Sequence, residues 1–273
     1  MNQKNLKKLQ EIELEIFDEF QKVCEQHKLT FYLFGGSCLG AIRHQGMIPW
    51  DDDIDLCMPR SDYEKLIKIA SESLDQNYFL QHFENETNCG FVFGKIRRNN
   101  TVLSEEYSHQ LKFHQGVWID IFPCDNISDN TLIRSWDIWR FKFYQNIYII
   151  NCGYNFPNSK KKYLKPIFNI IKPVAKLFNR ETLVKKLKYL MTRHNNKTTK
   201  AVFPYGGAYG KSDILERSIF ENSIVVDFEN RKAKVFENYD KYLTSIYNDY
   251  LQLPPLEQRN GGAHIIHEFK DER

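Results

Sequence analysis

No apolar run in this 273-residue chain approaches the roughly 20 residues needed to cross a bilayer. The opening stretch, MNQKNLKKLQEIELEIF, lacks the apolar segment and small-residue cleavage site of an export signal and runs straight into a helical pattern. A cytoplasmic protein is therefore expected. The six cysteines (Cys24, Cys38, Cys57, Cys89, Cys124 and Cys152) contain no C-x-x-C pair. That argues against a disulfide framework or a zinc site and leaves reduced, mostly buried thiols. Internal repeats and low-complexity tracts are also lacking. Acid is nearly missing from residues 159–200, where thirteen Lys/Arg face Glu181 alone; this net +12 leaves −9 for the remainder of a +3 chain. Such a segment suits an anionic partner, either a membrane surface or a polyanionic acceptor. A solvated, lysine-rich helical face is the plain alternative.

What is present is the composition of a packed globular protein: 42% hydrophobic and 27% charged, with 20 Phe, 15 Tyr and 4 Trp. Apolar residues at helical spacing predict an amphipathic helix over about 4–28. TFYLF at 30–34 reads as a short strand ending at Gly35-Gly36, and 37–43 as one or two helical turns closed by Gly46. Residues 53–58 alternate as a strand that stops at Pro59. Ser61-Asp62-Tyr63-Glu64 then has the form of a capping box, opening a helix to about Ser73. Further strands are expected at 78–82, 91–97 and 117–122, a helical stretch broken by Pro166 and Pro173 over about 132–191, and a closing helix over about 236–250. The order implies an α+β fold in three parts: a core over 1–128, a basic, aromatic-rich helical insertion over 129–200, and a segment over 201–273 that completes the core and substrate cleft.

The chemistry concentrates in Ile48-Pro49-Trp50-Asp51-Asp52-Asp53-Ile54-Asp55-Leu56, where four aspartates fall within five residues. Alternation puts Asp53 and Asp55 on one face with Cα atoms about 6.6 Å apart. Carboxylates so placed can grip a hard cation, and without one their repulsion is uncompensated. An acidic turn capping the next helix is the competing explanation. Upstream, Gly35-Gly36-Ser37 follows an apolar strand and opens a helix, whose free N–H groups are a seat for phosphate. Downstream, Asp120 interrupts the apolar strand VWIDIF. A buried, unpaired carboxylate is costly, so Asp120 either faces an open sheet surface or has a cation partner.

GGSCLGAIRHQGMIPWDDDID followed by SDYEKL resembles the signature of the LicD phosphotransferases, related to the fukutin proteins. WIDIFP resembles that family's next acidic strand, and LPPLEQR its closing segment. The resemblance covers about 30–125 closely and 201–267 loosely. It implies a nucleotidyltransferase-like mixed β-sheet flanked by helices. In such a fold Gly36 and Ser37 hold phosphate, while Asp53, Asp55 and Asp120 bind magnesium, two ions in all, with Asp51 in reserve. It further implies transfer of a phospho-alcohol, such as phosphocholine, from a CDP-activated donor to a glycan or lipid-linked glycan acceptor of a cell-surface polysaccharide, with release of CMP. Arg43 is a candidate phosphate clamp. Lys95 and Arg97 alternate on one strand and either reach the same cleft or make surface salt bridges. Trp50 is the nearest candidate for stacking on a quaternary ammonium. His264 and His267 are candidates for substrate contact or C-terminal packing, since the following Glu268 lies outside the H-E-x-x-H arrangement of zinc sites. Two other functions compete: an NTP-dependent nucleotidyltransferase releasing pyrophosphate, and a non-catalytic binding protein on the same fold. Residues 159–200 are expected to touch the inner membrane face, and no nucleic-acid motif accompanies their charge.

Overall fold

The computed structural model describes residues 1–155, 165–207, 210–259 and 264–273. The chain opens with helix α1 (Gln3–His27), capped where the Asn2 side chain accepts the Asn5 N–H at 2.8 Å. There follow β1 (Tyr32–Leu33), α2 (Gly35–His44), β2 (Asp55–Pro59), α3 (Arg60–Ser73), β3 (Tyr78–Gln81), β4 (Gly94–Arg98), β5 (Thr101–Glu105) and β6 (Trp118–Asn126). A helical stretch comprises α4 (Thr131–Asn151), α5 (Lys165–Ala175) and α6 (Arg180–Thr192). The chain ends with β7 (Ala201–Pro204), β8 (Leu215–Glu216), the hairpin β9 (Ser223–Phe228) and β10 (Arg231–Phe236), α7 (Tyr239–Tyr247) and β11 (Ile266–Asp271).

This is an α+β fold around a mixed sheet in the order β1-β2-β6-β4-β3, with β7 and β8 attached beside β6. β2 and β6 run parallel, and the other neighbours are antiparallel. A parallel pair cannot be closed by a tight turn, so α3 and three strands intervene between its members. β6 is buried along nearly its whole length, as an apolar strand interrupted by single polar residues should be when both faces are covered. α1 packs its Leu9, Ile12, Ile16 and Phe20 stripe against β4 and β6. A second core lies between α4, α6 and the loop before β4, built on Phe141, Tyr148, Leu183, Leu187, Phe203 and Tyr205.

Several local expectations change. α3 starts two residues earlier than the S-x-x-E pattern implies, with Pro59 rather than Ser61 at its N-cap and no side-chain capping bond. Ser61 is already inside the helix, and Glu64 turns to Arg60 at 3.6 Å. β2 begins at Asp55 rather than Asp53, although the Ile54 carbonyl extends the ladder by accepting the Asp120 N–H at 2.9 Å. Pro166 is the second residue of α5, where it has little backbone bonding to forfeit, and Pro173 lies inside that helix without ending it. β5 and β11, too polar to read as strands, pair with each other, carrying the C-terminus back to the core.

α3 is tied to β6 by a buried ion pair. Arg60 donates twice to Asp125, at 2.8 and 2.5 Å, and Asn195 adds a bond at 2.6 Å. Because Asp125 is fully buried, Arg60→Ala strands a charge, and we expect a loss of about 3–5 kcal/mol in urea unfolding. A loss within the scatter of surface substitutions would mean that the pair does not hold α3 in place.

Candidate active site

Three charged side chains form a row across the sheet. Asp55 on β2 lies in register with Asp120 on β6, and Asp120 in register with Lys95 on β4. Adjacent strands are about 4.8 Å apart and in-register side chains share a face. Lys95 closes the row with a 2.6 Å bond from Nζ to Asp120 Oδ1, both groups being buried. It is therefore no surface salt bridge. Arg97, two residues on, is also buried but turns to Gln81 Oε1 and the Gly116 carbonyl, at 2.5 and 2.7 Å, over the Trp118 ring.

The loop before β2 adds more carboxylates. His264, delivered by the residues leading into β11, sits between Asp53 Oδ2 at 3.1 Å (Nε2) and Glu105 Oε1 at 2.7 Å (Nδ1). Donor atoms of Asp52, Asp53 and His264 all lie within 4.8 Å of one another. His267 does not join them; it stacks on His109 with centroids 3.9 Å apart. α2 points its first turn at this loop. A Cβ on Gly36 would meet Asp51 Oδ2 at 2.7 Å, so any other residue there would displace the Asp51 carboxylate from its place against the helix start. The Ser37 hydroxyl oxygen accepts the Asp55 N–H at 2.8 Å, fixing the start of β2 from the same turn.

One member gave no sequence signal. Glu13, on the buried face of α1, is fully enclosed, and both its carboxyl oxygens lack a partner among the described residues. One turn earlier, Gln10 donates to the carbonyls of Ile48 and Asp51, at 3.3 and 2.9 Å, setting α1 beneath the aspartate loop. An isolated acid on an amphipathic helix carries no pattern that marks it as buried. Glu105, on an unforeseen strand, was missed for the same reason.

The cluster thus holds seven carboxyl groups (Glu13, Asp51, Asp52, Asp53, Asp55, Glu105 and Asp120) against the cations Lys95 and His264. Burial, then the neighbouring aspartates, pushes Glu13 and Asp55 well above the usual carboxylate range. Burial also lifts Asp120, against the pull of Lys95. Asp51 is raised to about 8 and Asp52 to about 6, burial being the first cause in both. For His264 burial opposes the charged ring, but the bonds to Asp53 and Glu105 outweigh it and raise its pKa well above the ordinary value. In return the imidazole, working against burial, holds Glu105 down at about 2. Asp52 Oδ1, like the Glu13 oxygens, is buried without a partner among the described residues. Orphaned oxygens and an excess of acid fit this cluster to a hard divalent cation.

Two cavities flank the cluster. The larger, about 920 Å³, is bordered by Gly36, Arg43, Trp50, Asp51, Tyr247 and the LPPLEQR segment. There Arg259 lies 5.3 Å from the Trp50 ring, and Arg43 donates to the carbonyls of Tyr250 and Gln252 at 3.0 and 3.4 Å. The smaller, about 290 Å³, is bordered by Lys95, Glu105, Asp120 and His264 on one side and by aromatic rings on the other.

Residues 28–165 match the family described as LicD/FKTN/FKRP, nucleotidyltransferase domain. The chain belongs to this family. Over 95% of its length it is 27% identical to the lipopolysaccharide cholinephosphotransferase LicD of Haemophilus influenzae, 96% of which is covered. A shorter likeness links this LicD-family chain to an uncharacterised protein of Rickettsia typhi, RT0683, at 22% identity over 38% of this chain and 36% of the relative. Another, RP689 of Rickettsia prowazekii, is 26% identical over 25% of this chain and 26% of the relative.

The raised carboxyl groups set the sign of a pH effect. An acid that binds its proton more tightly when folded favours the folded state at low pH, and this contribution is lost as pH rises from its unfolded value of about 4 through its folded one. For Asp52 and Asp51 the loss therefore extends through about 6 and about 8. A divalent cation competes with those protons. The difference in melting temperature between magnesium and chelator should grow from pH 6 to pH 8, and shrink in Asp51→Asn. Equal differences at both pH values, read by calorimetry, would count against a cation in this cluster.

Proposed function

We propose that the protein is a magnesium-dependent phosphotransferase that moves a phosphocholine-like group from a CDP-activated donor to a glycan hydroxyl of a cell-surface polysaccharide and releases CMP. The carrying observation is the in-register Asp55–Asp120 pair beside Asp53 and the glycine-opened start of α2. Near full-length similarity to a lipopolysaccharide cholinephosphotransferase supports the transferred group and the glycan acceptor.

Asp53, Asp55 and Asp120 are the assigned magnesium ligands, with Asp52 and His264 beside Asp53. Bound magnesium would offset the charge of the donor's diphosphate and of the leaving CMP. The start of α2 turns its positive dipole end toward the same phosphates, although the N–H groups of Gly35, Ser37 and Cys38 are already taken by the Tyr242 hydroxyl and the Phe34 carbonyl. In the transfer, the acceptor oxygen forms a bond to the phosphorus bearing the alcohol, as the bond from that phosphorus to the bridging oxygen breaks. CMP leaves with that oxygen. Asp120, steered by Lys95, is assigned to orient the attacking hydroxyl and accept its proton. The larger cavity, with Trp50 and Arg43 on its wall, is assigned to the nucleotide.

The measurement is product release from CDP-choline and from NTPs in parallel. CMP formed only with magnesium supports the reading, whereas pyrophosphate from an NTP would replace it with nucleotidyl transfer. Asp53→Asn and Asp55→Asn should each keep the fold and lose about a hundredfold or more in kcat.

The acceptor reading extends to where the enzyme works. Among the described residues no helix is long and apolar enough to cross a membrane. α4 nevertheless exposes Trp136 and Trp139, stacked 4.9 Å apart, with Phe143 continuing the ladder. α5 exposes Ile170, Ile171 and Val174, and Lys176 and Lys185 lie exposed nearby in the chain. The lysines at 160–162 fall outside the described residues. Exposed tryptophan with aliphatic and basic side chains suits the interface of an anionic bilayer, where a lipid-linked glycan would be met. The protein should co-sediment with phosphatidylglycerol vesicles, less so in high salt, and Trp136→Ala/Trp139→Ala should weaken this. Equal recovery with phosphatidylcholine in high salt would rule out an electrostatic anchor.

A further inference from the structure

The smaller cavity has a composition that the carboxylate chemistry does not need. Beyond Asp120, Lys95, Glu105 and His264, its walls are Phe91, Phe93, Tyr107, Tyr154, Ile149 and Gln145. The rings come in pairs: Phe91 and Phe93 with centroids 5.2 Å apart, and Tyr107 stacked on Tyr154 at 5.9 Å. They are brought together by separate parts of the fold, the approach to β4, the turn after β5 and the residues after α4. Two of the rings already attend a cation, since Lys95 Nζ lies 5.2 Å from the Phe91 centroid and 5.3 Å from that of Phe93.

The charged groups of this cavity's own lining balance, Lys95 and His264 against Asp120 and Glu105, so a further cation there is drawn chiefly by ring faces. Lys95 is matched by Asp120 at 2.6 Å, and His264 is held between Asp53 and Glu105. The Tyr107 hydroxyl donates to the Glu105 oxygen that also meets His264, Oε1, and among the described residues no bond falls on Oε2. A carboxylate oxygen therefore stands beside aromatic faces in a cavity that touches Asp120, the residue assigned to magnesium and to the attacking hydroxyl. Most of the lining offers ring faces and methyl groups rather than hydrogen-bond acceptors. A quaternary ammonium, with no N–H donor to satisfy, needs only the ring faces, whereas a primary ammonium draws on the few acceptors, Glu105, Asp120 and Gln145.

We propose that this cavity is the headgroup subsite, an aromatic cage in which Phe91, Phe93, Tyr107 and Tyr154, with Glu105, hold the trimethylammonium of the transferred alcohol. The assignment rests on the donor reading above and adds to it the residues that select the alcohol. It moves this role away from Trp50, which borders the nucleotide-sized cavity on the other side of the cluster. The two-carbon arm of phosphocholine would then run from the phosphate at the carboxylates into the cage, leaving the acceptor hydroxyl to approach from solvent.

The test compares CDP-choline with CDP-ethanolamine on the full-length protein. Wild type should prefer CDP-choline in kcat/KM, and Phe91→Leu and Tyr107→Leu should each cut that preference by about tenfold, mainly through KM for CDP-choline. Tetramethylammonium should compete with CDP-choline in wild type and do so more weakly in both variants. If wild type turns over neither donor, the donor reading fails; if it turns over CDP-choline but both variants keep the preference unchanged, the cage alone fails. Should either variant not fold, competition by tetramethylammonium in wild type decides, and its absence overturns the cage.

Discussion

The structure is organised around one costly contact, the half-buried Asp55 in register with the buried Asp120 on a neighbouring parallel strand. Like charges at this spacing in a low-dielectric interior repel strongly, and each is also penalised by the loss of water. Much of the surrounding architecture offsets that cost. Lys95 is delivered by the next strand in the same register, the Ser37 hydroxyl takes the Asp55 N–H, and the start of α2 turns its positive end toward the loop. These devices fall short of neutrality, which leaves the cluster with more acid than the protein itself compensates.

Because the pair is parallel, its two strands cannot be neighbours in the chain, and the intervening crossover supplies part of the wall of the smaller cavity. Phe91, Phe93 and Lys95 come from the approach to β4 and from β4 itself, Glu105 and Tyr107 from β5 and the turn after it. The helical stretch after β6 then supplies Gln145 and Ile149 from α4 and Tyr154 from the residues just past it. Its inner face builds the second core while its outer face shows tryptophan to solvent. One helical layer thereby supports the site on one side and presents an exposed aromatic surface on the other.

Both ends of the described chain also reach the cluster. α1 contributes Glu13 from beneath, and the residues before β11 contribute His264 from the side, held there because β11 pairs with β5. This dependence on distant segments explains why the centre is dry enough to raise the carboxyl pKa values.

Local order in the sequence determined a good deal about this protein. The period of the apolar residues defines α1, the glycines mark the start of α2, and a dense acidic string and an isolated Asp120 single out the carboxylate cluster, because each is a property of neighbours in the chain. The family resemblance was legible for the same reason, being carried by one contiguous string. The choice between partners separated by many residues was made only in the tertiary structure. Lys95 rather than Arg97 meets Asp120, His264 rather than His267 meets Asp53, and Glu13 lies buried without a partner among the described residues. Register and strand pairing decide such contacts, and a one-residue shift reverses the face of every side chain in a strand, so no local pattern can encode them.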